Sequence, residues 1–128
     1  MRRCSALKIS DLFLNTDAIV DFSCPVATEL MLNHVVTSKV LVPMVIGTTG
    51  LSGKCMNLME HCSNFVQLFY SPNMSFMISI VNMMLYATSK ILEGSYDVEI
   101  FEAHHRLKKD APSGTAIMFG RTIAQARG

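Results

Sequence analysis

Residues 39–50, KVLVPMVIGTTG, place an apolar run directly before a turn that contains glycine. Short apolar runs bounded by turn residues are typical of strands buried in a sheet. Pro43 has no N–H to donate to a neighbouring strand, so the strand has a bulge, lies at an edge or begins after Pro43. The next residues, SGKCMNLMEHCS, have the pattern of a helix with Ser52 as its N-cap. This stretch therefore predicts a strand–turn–helix unit.

The same succession continues on both sides of this unit. Further apolar runs predict strands at 17–23, 65–72 and 96–105. Further helical patterns predict helices at 24–38, 75–92 and 113–126. Pro25 suits a first helical turn, Gly94 ends the third helix and Ser113 caps the last one. Strands that alternate with helices predict an α/β fold in which helices cover a parallel sheet.

The composition narrows the class of protein. The chain has 128 residues, half of them hydrophobic, which suits one domain with a real core. Its net charge of +1 provides no field that would favour nucleic acid or a membrane as partner. The start, MRRCSALKIS, lacks the apolar core of a secretory signal. The cysteines form no CxxC pair, which indicates reduced thiols in a cytoplasmic protein; they are Cys4, Cys24, Cys55 and Cys62.

The most apolar segment, residues 75–92, predicts a buried helix of a water-soluble protein. A helix that spans a membrane needs about 20 mainly apolar residues. This segment is shorter and contains Asn82 and Lys90. Its methionines are expected to fill the core; they are Met77, Met83 and Met84.

Three polar loops follow predicted strands. They are GTTG (47–50), SPNMS (71–75) and HHRLKKDAPSG (104–114). Ligands of parallel α/β sheets bind at the carboxyl ends of the strands. The sequence therefore predicts one site that all three loops form.

The loop at 104–114 has the chemistry of an anion receptor. Its last residues begin a helix, whose first amides at Gly114 and Thr115 would attract an anion such as a carboxylate. The cations Arg106, Lys108 and Lys109 lie nearby in the sequence. The alternative is a solvated basic loop with an ordinary serine cap.

The two histidines of this loop favour acid–base work over metal binding. His104 and His105 are adjacent, so in an extended segment they point to opposite sides. A metal set of Glu102, His104 and Asp110 stays open as an alternative, although no HExxH or Cys/His spacing supports it. Histidine titrates near neutral pH, which suits a general acid or base.

The other two loops allow two interpretations each. GTTGLSG (47–53) fits GxxGxxG, but the next strand does not end in an acidic residue, so a pyrophosphate loop is not predicted. Its glycines either allow close approach of a ligand or form a tight turn before a helix cap. Asn73 either orients a ligand or caps a turn.

Four segments carry a resemblance to a known family. EAHHRLKKDAPSGTA (102–116) resembles the signature of the dihydrodipicolinate reductases. VDFSCPVAT (20–28), VIGTTGL (45–51) and SPNMS (71–75) resemble other segments of that family, in the family's order. The resemblance extends from about Ile9 to Gln125.

The resemblance implies a cytoplasmic oxidoreductase that reduces a cyclic dicarboxylate with NADPH or NADH, in the diaminopimelate route to lysine. It implies a partial Rossmann-like sheet with flanking helices that runs into the start of the substrate domain. Residues 1–73 would belong to the dinucleotide-binding domain and 74–128 to the substrate-binding and catalytic domain. The family forms homotetramers.

Matching positions imply site residues. His104 and Lys108 match the active-site histidine and the proton-donating lysine of the family. His105, Gly114 and Thr115 match substrate-contacting positions. Positions near the cofactor are Gly47, Thr48, Thr49, Ser71, Pro72, Asn73 and Met74. The resemblance implies no metal.

The chain also departs from the family pattern. The family begins with a glycine-rich strand–turn–helix that holds the pyrophosphate, and no glycine precedes Gly47 here. The family also continues into an antiparallel-rich sheet beyond the position of Gly128. Leu107 replaces a histidine, and Met77 stands where glycine is usual. Two alternatives to a reductase stay open: a truncated, catalytically incompetent chain that at most binds an anion, and a metal-dependent hydrolase.

Overall fold

The computed structural model describes residues 8–128. Cys4 and the basic start of the chain, where no secretory signal was predicted, lie outside the described residues. The chain divides into two compact units, which we call the N-terminal unit, ending at Ser71, and the C-terminal unit, Pro72–Gly128.

The N-terminal unit is a three-stranded parallel sheet with helices between its strands. The order of the strands in the sheet is β1-β2-β3. After a 3₁₀ turn at Ile9–Phe13, the elements are β1 (Ile19–Asp21), α1 (Pro25–Ser38), β2 (Met44–Ile46), α2 (Gly53–Ser63) and β3 (Leu68–Tyr70). The predicted α/β fold class is confirmed.

Pro43 sets the start of the central strand. β2 begins at Met44, and the carbonyl of Pro43 accepts a hydrogen bond from the amide of Ile19 at 2.9 Å. Of the three alternatives for this proline, a later strand start is therefore correct. β2 pairs with a strand on each side, so it is not an edge.

The two faces of the sheet differ sharply in burial. Met44 and Ile46 of β2 belong to the core. On the opposite face Val20, Val45 and Phe69 lie in register. Val20 is 66% exposed and Phe69 59% exposed, so the prediction that β1 is buried throughout was wrong. The other buried apolar residues come from the helices and loops: Phe13, Met31, Leu32, Val35, Val42, Cys55, Met59, Cys62 and Val66.

The C-terminal unit contains two packed helices. They are α3 (Phe76–Leu92) and α4 (Gly114–Arg127). A 3₁₀ turn at Glu93–Ser95 follows α3, as the predicted break at Gly94 requires. The Thr122 hydroxyl donates to Asn82 Oδ1 at 2.8 Å, and Arg127 Nη2 donates to the carbonyl of Tyr96 at 2.7 Å.

The predicted fourth strand, residues 96–105, was wrong. This segment has no strand assignment, and within the described residues the sheet consists of the three strands of the N-terminal unit. Its apolar side chains, including Phe101, are exposed. Alternating apolar residues suit a strand, but a strand also needs a neighbour with which to exchange backbone hydrogen bonds.

The predicted burial of α3 was also wrong. Met77, Met83 and Met84 are 65%, 72% and 64% exposed, and Ser89 is the one buried residue of this helix. A helix that is apolar on all sides buries only the side that another element covers. Among the described residues, no helix combines the length and hydrophobicity needed to cross a bilayer.

Candidate functional site

The start of α4 is built as the sequence predicted. Ser113 is the N-cap, and its Oγ accepts a hydrogen bond from the amide of Ala116 at 3.1 Å. Within residues 8–128 the amides of Gly114 and Thr115 have no hydrogen-bond acceptor. Such amides, at the positive end of the helix dipole, favour a negatively charged ligand.

Glu102 connects this helix start to His104. Its Oε1 accepts a hydrogen bond from the amide of Ser113 at 2.8 Å, and its Oε2 lies 3.0 Å from His104 Nε2. Hydrogen bonding from Ser113, and next from His104, lowers the pKa of Glu102 from 4.5 to about 2. The sequence had suggested Glu102 only as a metal ligand and missed this link. The available signal was its spacing of two residues from His104, which puts both on one side of an extended segment.

The lowered pKa of Glu102 predicts a pH dependence of folding stability. A carboxylate whose pKa is lower in the folded state adds stability above its unfolded pKa, here 4.5, and loses it as the pH falls to about 2. We expect the difference in the free energy of unfolding between wild type and Glu102→Gln to be constant above pH 4.5 and to shrink below it. Chemical denaturation across this pH range measures the difference. A difference that stays flat through the window would contradict the assignment.

Lys108 forms an ion pair with a carboxylate of its own loop. Its Nζ lies 2.9 Å from Asp110 Oδ1, and the two side chains are 22% and 31% exposed. One of the three ammonium hydrogens of Lys108 is therefore directed to Asp110, and two remain for other acceptors.

The adjacent histidines have different partners. Nδ1 of His105 accepts a hydrogen bond from the amide of Leu107 at 3.2 Å, whereas His104 contacts Glu102. Within residues 8–128, no three His, Cys, Asp or Glu side chains are placed to hold a metal ion together. The metal set considered from the sequence is divided, because Asp110 pairs with Lys108.

Asn73 connects the SPNMS loop to the start of α4. Its Nδ2 donates to Thr115 Oγ1 at 2.9 Å, and its Oδ1 accepts from the amide of Ser75 at 2.9 Å. The interpretation of Asn73 as a turn cap is therefore confirmed, and its orientation of a ligand stays a prediction. Pro72 is half-buried beside it, and Met74 is exposed.

The GTTG loop lies at the carboxyl end of β2, in the N-terminal unit. The amide of Gly47 donates to the carbonyl of Asp21 at 2.8 Å. Thr48 is buried, and its Oγ1 accepts from the amide of Ser23 at 3.0 Å. Its side chain is thus committed to the protein interior, while Thr49 is half-buried. The amide of Ser71, after β3, donates to the carbonyl of Ile46 at 3.1 Å.

A buried carboxylate, which the sequence did not single out, holds this loop. Asp21 is buried at the end of β1 and accepts from the amide and hydroxyl of Ser23 and from the hydroxyl of Thr28. A buried carboxylate requires such partners. The sequence did contain a signal for this network. Asp21 ends an apolar run, and the hydroxyl residues Ser23 and Thr28 follow it at two and seven positions. The network fixes residues 21–23 against Thr48.

Gly47 allows an aromatic ring to lie against the backbone. A Cβ at position 47 would be 2.1 Å from Cε1 of Phe22, so a side chain there would displace the ring. Phe22 is nevertheless 64% exposed. The carboxyl end of β1 thus offers an exposed aromatic surface, which suits a planar apolar ligand.

The sequence placed all three polar loops after strands, and this was wrong for the third. GTTG and SPNMS follow β2 and β3, whereas residues 104–114 follow an irregular segment of the C-terminal unit. The rule about strand ends therefore does not apply to the third loop. Within the C-terminal unit, the hydrogen bonds of Glu102 and Asn73 still bring His104 and the SPNMS loop to the start of α4.

Comparison with known proteins gives a consistent result across the chain. Residues 5–74 match the family model described as dihydrodipicolinate reductase, N-terminus, and residues 77–128 match the one described as dihydrodipicolinate reductase, C-terminus. The 4-hydroxy-tetrahydrodipicolinate reductase of Campylobacter jejuni (strain 81116) is 43% identical over 119 residues, which are 93% of this chain and 48% of that protein. The corresponding enzyme of Rickettsia akari is 44% identical over 114 residues, or 89% of this chain and 45% of that protein. The chain thus spans about half the length of the curated relatives it matches.

Proposed function

Because the chain belongs to the dihydrodipicolinate reductase family, we propose that it acts as a 4-hydroxy-tetrahydrodipicolinate reductase. The reaction is hydride transfer from NADPH or NADH to a cyclic dicarboxylate in diaminopimelate and lysine biosynthesis, in the cytoplasm. The observation that carries this proposal is the Glu102 carboxylate, which joins His104 to the amide of Ser113 at the start of α4. We assign dinucleotide binding to residues 1–73 and substrate binding with catalysis to residues 74–128.

The start of α4 suits one carboxylate of the substrate. The amides of Gly114 and Thr115 provide donors, and His105 adds a donor, since its Nδ1 is already an acceptor for the amide of Leu107. The exposed cations Arg106 and Lys109 attract a dianion to this loop. Asn73 holds the Thr115 side chain in place. These groups bind and orient the substrate.

Lys108 and His104 are the proposed catalytic residues. Addition of a hydride to the substrate ring requires a proton, and the Lys108 ammonium can donate one while Asp110 holds it in position. His104 is held by Glu102 and lies in the same loop. Their proposed role is to transfer protons to and from a substrate that the loop holds in position.

Residues around the GTTG loop fit part of a nicotinamide cofactor. When bound, the cofactor supplies the hydride. The proposed contacts are Gly47, Thr48 and Thr49, with Ser71, Pro72, Asn73 and Met74. The exposed Phe22 ring, which lies against the Gly47 backbone, supports contact with a planar ring. Because the Thr48 hydroxyl is engaged with Ser23, Thr48 is proposed to act through its backbone.

The proposal predicts selective binding of a planar dicarboxylate. We expect pyridine-2,6-dicarboxylate to shift the amide resonances of His105, Gly114 and Thr115 in a ¹H–¹⁵N spectrum of the purified chain. NADPH is expected to shift Gly47 and Thr49. Arg121, an exposed residue further along α4, serves as the internal control because it should not respond to either ligand.

Two controls separate this function from plain anion binding. Pyridine-2-carboxylate, with one carboxylate, should bind more weakly than the dicarboxylate. Equal shifts with inorganic sulfate would favour the alternative of a chain that at most binds an anion. A collapsed spectrum that responds to no ligand would contradict the proposal for these 128 residues.

A further inference from the structure

The two oxygens of the Glu102 carboxylate have separate partners. Oε1 accepts from the amide of Ser113, which is buried, at 2.8 Å. Oε2 faces Nε2 of His104 at 3.0 Å. The Glu102 side chain is 25% exposed and that of His104 35% exposed, so neither contact is a fully solvated one.

The chemistry of the carboxylate decides which imidazole nitrogen carries hydrogen. With its pKa lowered to about 2, Glu102 is ionised at neutral pH and can only accept hydrogen bonds. An unprotonated Nε2 would place two acceptors 3.0 Å apart. Nε2 of His104 must therefore carry a hydrogen, and in the neutral imidazole Nδ1 is then the unprotonated nitrogen.

We propose that Glu102 is a positioning residue that fixes the tautomer of His104, so that Nδ1 is the nitrogen presented to a ligand as acceptor. The part of this inference that concerns a ligand rests on the proposed function, but the tautomer itself does not. The carboxylate also ties the orientation of the ring to α4, because the same side chain binds the amide of the N-cap residue. His104 and the amides of Gly114 and Thr115 are thereby held in one arrangement.

His105 provides a natural comparison. Its Nδ1 accepts from the amide of Leu107 at 3.2 Å, so its neutral form also carries hydrogen at Nε2. A backbone donor sets this tautomer, and Glu102 has no part in it. The two adjacent histidines therefore reach the same tautomer through different partners. Substitution of Glu102 should affect only His104.

The variant Glu102→Gln gives a sharp test. Glutamine has one acceptor oxygen and one donor NH₂ group. The amide of Ser113 needs the oxygen, since a buried donor without an acceptor is costly. The NH₂ group then faces His104 Nε2, which must become an acceptor. We therefore expect the neutral His104 imidazole to move its hydrogen from Nε2 to Nδ1 in this variant.

Long-range ¹H–¹⁵N spectra of the imidazole rings, recorded on the whole chain at a pH where the rings are neutral, measure the tautomers. In wild type, both histidines should show hydrogen at Nε2. In Glu102→Gln, the two ring-nitrogen resonances of His104 should exchange their positions while those of His105 stay unchanged. The matched control Glu99→Gln, at an exposed carboxylate of the same segment, should leave both rings as in wild type.

Several results would overturn the inference. Hydrogen at Nδ1 of His104 in wild type would do so, as would hydrogen retained at Nε2 in folded Glu102→Gln. If that variant fails to fold, the wild-type spectrum decides the matter. An Nε2-bound proton of His104 that is protected from water exchange supports the contact with Glu102, and its absence overturns it.

The outcome is distinguishable from that of the proposed function. The predicted tautomers without any response to the dicarboxylate would leave Glu102 as a positioning residue and reject the substrate assignment. A response to the dicarboxylate with the wrong tautomers would support the substrate assignment and reject Glu102 as a positioning residue.

Discussion

His104→Gln is expected to lower turnover about 10²- to 10⁴-fold, the usual range for loss of a general acid or base. Glutamine keeps a side-chain N–H that can donate to Glu102, so the link to Ser113 should survive. It cannot, however, take up or release a proton near neutral pH. The free energy of unfolding should change by less than about 0.5 kcal/mol, as for most exposed positions. Steady-state kinetics and denaturant unfolding of the same samples measure both effects.

The kinetic measurement is made in a full-length reductase, because this chain spans about half the length of the curated relatives it matches. A suitable one has residues 1–128 in place of the matching part of the Campylobacter jejuni reductase. His61→Gln, at an exposed histidine of α2, is the matched control and should retain full turnover. If His104→Gln lost folded protein and activity in equal proportion, the catalytic role of His104 would be rejected.

Ile46→Ala is expected to lower the free energy of unfolding by about 2–5 kcal/mol. Ile46 is fully buried on β2, between Asp21 and Tyr70 in the register of the sheet. Its truncation removes apolar contacts and leaves a cavity that the surrounding core residues fill only in part. Urea or guanidinium unfolding, followed by a signal from the N-terminal unit, measures the loss.

Val20→Ala is the matched control on the opposite face of the same sheet. Val20 is mostly exposed, so its truncation leaves no cavity and should cost less than about 1 kcal/mol, the range of strand propensity. Equal losses for the two variants would mean that both faces are buried in solution. That result would contradict the exposure of Val20 and Phe69 on this face.

Features that depend on short-range interactions were predictable. Ser52 and Ser113 each accept a hydrogen bond from the amide three residues ahead. Pro43 lacks a backbone N–H, and β2 begins directly after it. The α/β class was also predictable, because each strand and helix was recognised from the residues within it. The signature loop also indicated His104, Lys108 and the start of α4 before any geometry was known, and their site roles stay predictions.

Features that depend on a distant partner were not predictable. Residues 96–105 have a strand pattern but find no neighbouring strand within the described residues, and α3 is apolar on sides that no described element covers. The same limit applies to the site. Asp21 meets Thr48 across 27 positions and Asn73 meets Thr115 across 42.

The sequence by itself therefore determined the fold class, the helix caps and the chemical character of the loop at 104–114. Local backbone preferences and hydrophobic spacing depend on residues that are close together in the sequence, so they can be predicted without a structure. The tertiary structure alone decided that Glu102 joins His104 to Ser113, and that one sheet face is open. Such pairings and burial depend on which distant segments come into contact after folding, and the pattern of neighbouring residues does not specify those contacts.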